Sequence, residues 1–183
     1  MKTRRLKLIR TISVSLAMLS LLFSVPTHAQ SVRHVNWIEA TGPLSRTMVN
    51  YLQRAITETE SDGAAALIVQ LNTPGGELGL LQEMVQAIRG SNVPVIVYVA
   101  PRGAAAASAG TIVTLAGHVA AMAPETTIGA ASPIGVSPEG SPQELPETLK
   151  RKAIEDMQAL VRSLTTRRSS QAIQFAQDTI EHA

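Results

Sequence analysis

Cysteine is absent from the 183 residues. That excludes a disulfide framework, a thiolate nucleophile and any cysteine-ligated metal. Aromatic side chains are scarce, with one Trp, two Tyr and two Phe, so a core has to be built from Ala, Val, Ile and Leu in closely approaching elements. No dinucleotide fingerprint, phosphate-binding glycine loop or cluster with metal-ligand spacing occurs, and no cofactor or metal is implied. Basic charge is also lacking where it would matter. The formal net charge of +2 depends on Lys2, Arg4, Arg5, Lys7 and Arg10, which precede an apolar stretch from Ile12 to Val25 and then Thr27-His28-Ala29. This is the pattern of a secretory signal, with cleavage expected after Ala29. An uncleaved anchor is the rival reading, but the stretch is shorter than the ~20 residues a spanning helix needs and carries four serines. Without residues 1–29 the chain keeps eleven basic against fourteen acidic residues, a formal charge of −3. Nucleic acid is therefore not an expected partner.

The remaining residues, 30–183, read as one α/β domain. A weak strand signal covers Val32 to Ile38, and Ser45 caps a helix with Leu44, Met48, Leu52 and Ile56 at every fourth position. Asp62-Gly63 ends that helix. The apolar run Ala66 to Leu71, a helix striped by Leu78, Leu81, Met84, Val85 and Ile88, and the run Val93 to Val99 then give strand, helix, strand. Right-handed parallel crossovers follow from that order. A third crossover helix opens near Ser108 and leads to a short strand, Val119 to Met122. Gly135 to Pro146 reads as a loop. A helix beginning near Pro146-Glu147 turns Leu149, Ala153, Met157, Leu160 and Leu164 to the core and ends near Arg167-Arg168. The amphipathic stretch Ala172, Ile173, Ala176, Ile180 reaches the last residue with no stop signal, which suggests a sequence cut short.

Two strand-end loops bear the chemistry. Asn72-Thr73-Pro74-Gly75-Gly76 closes one apolar run, and Ala105-Ala106-Ala107-Ser108-Ala109-Gly110 follows another. With Ser108 at the first helical turn, its hydroxyl meets the positive end of the helix dipole and the Ala109 amide stays unpaired. Those residues fit an acyl-transfer nucleophile with an amide oxyanion site, or a thioester-binding site using the same amides.

Together with Ile128-Gly129-Ala130-Ala131-Ser132-Pro133-Ile134-Gly135, these segments resemble the Clp-protease/crotonase superfamily and, more closely, the NfeD family of membrane-associated Ser-Lys proteases. The resemblance covers about Val32 to Ala183. It implies a Clp/crotonase-like fold with a mostly parallel sheet flanked by helices, Ser108 as nucleophile, oxyanion amides at Gly75 and Ala109, and Gly76 supporting the turn. Ala131 stands where Clp-like proteases carry a histidine, so a Ser-His-Asp triad of that type is excluded, and His118 reads as a capping or packing residue. The family's base is a lysine opening a helix. Lys152-Ala153-Ile154-Glu155-Asp156 matches that pattern, with Lys150 the competitor because helical periodicity sets it nearer the apolar stripe. A lysine base must be neutral, which burial or neighbouring cations such as Lys150 and Arg151 would favour. Asp156, one turn on, would orient or charge Lys152, or form an ordinary exposed ion pair. The family often has a second serine three residues before the nucleophile; here that position is Ala105. Ser132, next to Pro133, reads as a turn residue.

The implied activity is hydrolysis of polypeptides in apolar segments of membrane-associated proteins, outside the cytoplasm, with stomatin-like partners and a homo-oligomer. A non-catalytic scaffold of the same fold at the membrane is the alternative from another class. An acyl-CoA enzyme of the crotonase type is disfavoured by the export signal.

Overall fold

The computed structural model describes residues 34–136, 142–166 and 168–181. The segment read as a signal, its cleavage point and part of the 135–146 loop lie outside those residues.

Strands β1 (Asn36–Thr41), β2 (Leu67–Asn72), β3 (Val95–Val99) and β5 (Val119–Met122) form one parallel sheet in the order β1-β2-β3-β5. The strands are linked by helices α1 (Arg46–Ser61), α2 (Leu78–Gly90) and α3 (Ala109–Ala116). Because the order runs in one direction, right-handed crossovers bring all three helices to the same face. The burial pattern records this. In β2 and β3, Leu67, Val69, Leu71, Val95, Val97 and Val99 are fully buried, while Ile68, Gln70, Ile96 and Tyr98 on the opposite face are half-buried. On that opposite face Trp37 meets Tyr98 edge-on, with ring centroids 6.1 Å apart, a favoured aromatic geometry.

Local chemistry fixes the helix ends. Ser45 Oγ accepts the Met48 amide at 3.2 Å, as the serine cap leads one to expect, and α1 buries Met48, Val49, Leu52, Ala55 and Ile56. Helix α4 (Glu147–Thr165) lays Met157, Val161 and Leu164 into the core that holds Ile112, Val113 and Ala116 of α3. Helix α5 (Ser170–Glu181) adds Ala176 and Ile180. The Arg168 guanidinium donates to Leu115 O at 3.0 Å and Gly117 O at 2.9 Å, satisfying carbonyls at the end of α3 with a cation.

Several elements differ from the sequence reading. The first strand begins at Asn36 rather than Val32, and α4 stops at Thr165. The run ending at Val99 does not pass directly into the helix at Ser108. Residues 105–107 make a separate strand, β4 (Ala105–Ala107), which pairs in parallel with β6 (Thr127–Gly129). Alanine has low strand propensity; backbone partners impose the strand here. Thr73 N–H donates to Ala105 O at 2.7 Å, Ala107 N–H donates to Thr73 O at 3.0 Å, and Asn72 Oδ1 accepts the Ala105 amide at 3.2 Å. The stretch read as a loop holds a short antiparallel pair, β7 (Gly135–Val136) with β8 (Pro142–Gln143).

His118 packs at the entrance of β5. Its N–H donates to Val95 O at 2.9 Å and its Nδ1 accepts the Val95 amide at 3.1 Å. Burial first, and the Arg89 cation second, hold its imidazole below the usual pKa. A histidine kept neutral in the fold but free to protonate when unfolded favours the unfolded chain in acid. The stability it contributes is complete above about pH 6.5 and lost as the pH falls below that value. Urea midpoints of His118→Gln should accordingly decline less than wild type between about pH 7.5 and about pH 5.5.

Candidate active site

The three loops at the carboxyl ends of β2, β4 and β6 meet around Ser108. Helix α3 starts one residue later, so Ser108 is its N-cap, yet its hydroxyl makes no capping bond. The half-buried Ser108 has φ 52° and ψ −123°, a sparsely populated conformation for a residue with a side chain, costing on the order of 1–3 kcal/mol. It is retained because the peptide is held on both sides: Ser108 N–H donates to Gly129 O at 2.8 Å and Ser108 O accepts the Thr111 amide at 3.0 Å. Freed from capping, Oγ stands at the positive end of α3. Among the described residues no hydrogen-bond partner meets it.

The glycine loop approaches this hydroxyl closely. Gly75 has φ +107°, and a Cβ there would lie 2.7 Å from Ser108 Cβ and 3.1 Å from its Oγ, so only glycine fits. Gly110 serves the same approach from the helix side, since a Cβ would lie 2.5 Å from Thr73 Cγ2. The amides expected to receive an oxyanion differ in state. Ala109 N–H, at the first helical position, meets no acceptor among the described residues. Gly75 N–H donates to Thr73 Oγ1 at 3.1 Å and can reach an oxyanion only by leaving or sharing that bond. Gly76 N–H has no acceptor among the described residues.

Lys152 lies on α4, which packs against α3. Lys152 and Lys150 are both exposed, and neither bonds to Ser108. Asp156, also exposed, makes no ion pair with Lys152; it lines a groove between α2 and α4 with Gln82 and Met157. Ser132 Oγ donates to Ile180 O at 2.8 Å, and Ala131 N–H donates to Thr179 O at 2.8 Å. The 131–132 turn is thereby tied to the end of α5, a structural use in keeping with the turn reading. Among the described residues no group of His, Asp and Glu could hold a metal, and no helix is long and apolar enough to cross a membrane.

Thr111 was not apparent as a site residue. Fully buried, its hydroxyl accepts the Gly129 amide at 2.8 Å and lies 2.9 Å from Gly129 O and 3.0 Å from Ala106 O. It thus locks β4 to β6 directly beneath Ser108. A threonine three residues after Ser108, in a helix whose other residues are apolar except Thr114, was the available signal.

A parallel sheet with all crossover helices on one face, a displaced β4–β6 pair and a serine at a helix N-terminus beside a glycine loop define a Clp/crotonase-like fold. ClpP1 from Listeria monocytogenes shares that fold, with a TM-score of 0.58 at 16% identity over 77% of this chain and 78% of that one. The model of the NfeD1b N-terminal domain matches residues 34–175, and this chain belongs to that family. Membrane-bound protease PH1510 from Pyrococcus horikoshii is 43% identical over 135 residues, which are 73% of this chain and 30% of that protein. The chain thus spans under a third of the curated relative it matches. Two solved structures of the 1510-N membrane-bound stomatin-specific protease each give a TM-score of 0.71 at 38% identity over 81% of this chain. One is a serine-to-alanine mutant, of which 70% is covered; the other is a lysine-to-alanine mutant in complex with a substrate peptide, of which 66% is covered.

Thr111→Val removes the acceptor of the half-buried Gly129 amide while keeping shape. It should lower stability by about 1–3 kcal/mol in urea unfolding, whereas Thr111→Ser should recover most of the loss.

Proposed function

We propose that this chain is the catalytic domain of an exported, membrane-associated serine endopeptidase that uses a Ser108–Lys152 dyad. The observation carrying the reading is the conformation of Ser108: strained, uncapped, at the N-terminus of α3 and in contact with a loop that tolerates only glycine. Lys152 takes the proton from Ser108 Oγ as it attacks a peptide carbonyl. The same proton passes to the leaving amine, and water then releases the acyl group. The tetrahedral oxygen is received by Ala109 N–H and the Gly75-Gly76 loop, where Gly76 offers the amide that is already free and Gly75 shares or releases its bond to Thr73. Pre-aimed amides of this kind supply about 3 kcal/mol each toward the transition state.

A lysine serves as a base only in its neutral form, which desolvation favours, and Lys152 is exposed in the single chain. Desolvation of Lys152 therefore has to come from a bound polypeptide or a neighbouring copy of the chain, in line with the homo-oligomer expected of this superfamily. Support for a polypeptide substrate, and for stomatin-like proteins as its source, comes from the relative named as a stomatin-specific protease and solved with a substrate peptide. Export rests on residues 1–29, read as a signal. The lack of a hydrogen bond from either lysine to Ser108 among the described residues, with both lysines exposed, favours the second reading, a non-catalytic scaffold of the same fold.

Reaction with a fluorophosphonate probe, followed by intact mass, separates the two. Wild type should gain one adduct that is lost in Ser108→Ala and Lys152→Ala and kept in Lys150→Ala. No adduct on folded wild-type protein would establish the scaffold, and loss in Lys150→Ala alone would move the base to that residue. Gly75→Ala, which thrusts a methyl group against Ser108, should slow labelling by on the order of a hundredfold or more.

A further inference from the structure

Thr73 lies fully buried at the start of the glycine loop, and most of it already has a structural use. Its N–H donates to Ala105 O at 2.7 Å and its carbonyl accepts the Ala107 amide at 3.0 Å, so its backbone runs as a bridge alongside β4. Its methyl group closes on the first turn of α3, where a Cβ on Gly110 would lie 2.5 Å from Thr73 Cγ2. The next residues of the loop are pinned from another side, since Leu44 N–H donates to Gly75 O at 2.8 Å and Leu44 bridges Gly76 in parallel register. Backbone bonds on both flanks therefore hold the loop in place, and none of them involves the Thr73 hydroxyl.

That hydroxyl has one close partner. Thr73 Oγ1 accepts the Gly75 amide at 3.1 Å, and its own proton is directed to Gly75 O at 3.4 Å, longer than the usual O–H···O distance of about 2.5–3.0 Å. Gly75 is itself buried, and in the proposed chemistry its amide is one of the donors to the tetrahedral oxygen. The hydroxyl and the ligand thus compete for the same N–H. Charge decides which of them prevails. A neutral substrate carbonyl offers Gly75 N–H about what the neutral hydroxyl already gives, whereas a charged oxygen makes a bond roughly twice as strong. Exchange of partners is then close to neutral in the ground state and favourable in the transition state, which is the condition under which a binding interaction accelerates a reaction.

We propose that Thr73 is a positioning residue of the oxyanion site. In the free chain its hydroxyl holds the Gly75 amide. A bound carbonyl does not displace it, and the tetrahedral oxygen formed on attack by Ser108 does. Gly75 N–H then serves the transition state alone, while Ala109 N–H and Gly76 N–H, which have no acceptor among the described residues, meet carbonyl and tetrahedral oxygen alike. This role deepens the protease reading given above and rests on it, but the bond from Gly75 to Thr73 can be followed without any reaction.

Two substitutions separate the hydroxyl from the methyl group: Thr73→Ser keeps the first and loses the second, and Thr73→Ala loses both. Each protein is labelled with a fluorophosphonate over a range of concentrations, in which Ser108 Oγ bonds to phosphorus, its proton passes to Lys152 and fluoride leaves. Thr73→Ser should label as wild type does. Thr73→Ala should label with a second-order rate about three- to tenfold above that of Thr73→Ser, through a lower KI with the limiting rate little changed, because the uncharged phosphonyl oxygen then also bonds to Gly75. Its urea midpoint should be the lowest of the three. A hydroxyl with a structural role alone would lower the midpoint and slow labelling together, so a Thr73→Ala rate at or below that of Thr73→Ser overturns the assignment. Amide hydrogen exchange at Gly75 gives the readout that needs no reaction: the amide should be protected in wild type and Thr73→Ser and lose protection in Thr73→Ala. Equal protection in all three overturns the assignment even if labelling differs. If protection is lost as expected but none of the three proteins labels, the protease reading falls and takes the positioning role with it; if wild type labels and Thr73→Ala is no faster, the positioning role alone falls.

Discussion

The site depends on a set of backbone hydrogen bonds made to one loop. Gly129 presents its carbonyl to Ser108 N–H and its amide to Thr111 Oγ1, so the residue before the α3 helix and a residue in its first turn are fixed to the same glycine. Both Gly129 and Ala130 have positive φ, at 144° and 53°. Strained backbone persists only where its surroundings over-determine it, and here the two strained segments, 108 and 129–130, brace each other. Remove that bracing and Ser108 relaxes to an ordinary helix cap, with its hydroxyl bonded to a backbone amide instead of left without one.

The larger architecture serves that junction. Helix α3 is fully buried, with the hydroxyls of Thr111 and Thr114 bonded to backbone carbonyls, so it can neither tilt nor slide without opening voids in a close-packed interior. Arg168 adds a charged tie at its far end, joining the α4–α5 connection to the carbonyls of Leu115 and Gly117. Ser108 therefore sits at the head of a rigid rod anchored at both termini. Lys152 projects from the exposed side of α4, and the proposed dyad requires that side to be covered.

Much of the frame was legible in the residues because its signals are periodic. The stripe on α2, the serine cap on α1 and the alternating or continuous apolar runs of β2 and β3 each follow from burial on one face. The steric need for glycine at 75 was legible too, since a loop that passes this close to the Ser108 side chain leaves no room for a Cβ. Strand β4 escaped detection because three alanines carry no strand preference, and only Thr73 and β6, distant in sequence, supply their partners. Thr111 escaped for a related reason: a hydroxyl in an apolar helix declares a polar partner without saying which loop provides it. The bond between Gly75 and Thr73 and the facing of Asp156 are set by side-chain direction, which spacing along a chain does not encode.

A serine held at φ 52° has an evolutionary consequence. Glycine adopts that backbone region without penalty, so a change to glycine at position 108 would relieve the strain and remove the hydroxyl in one step. Most positions in a domain let selection raise robustness without giving up what the side chain does. At this one the two pull in opposite directions, and a lineage with no use for that hydroxyl would be expected to lose its serine early while retaining the surrounding fold nearly intact.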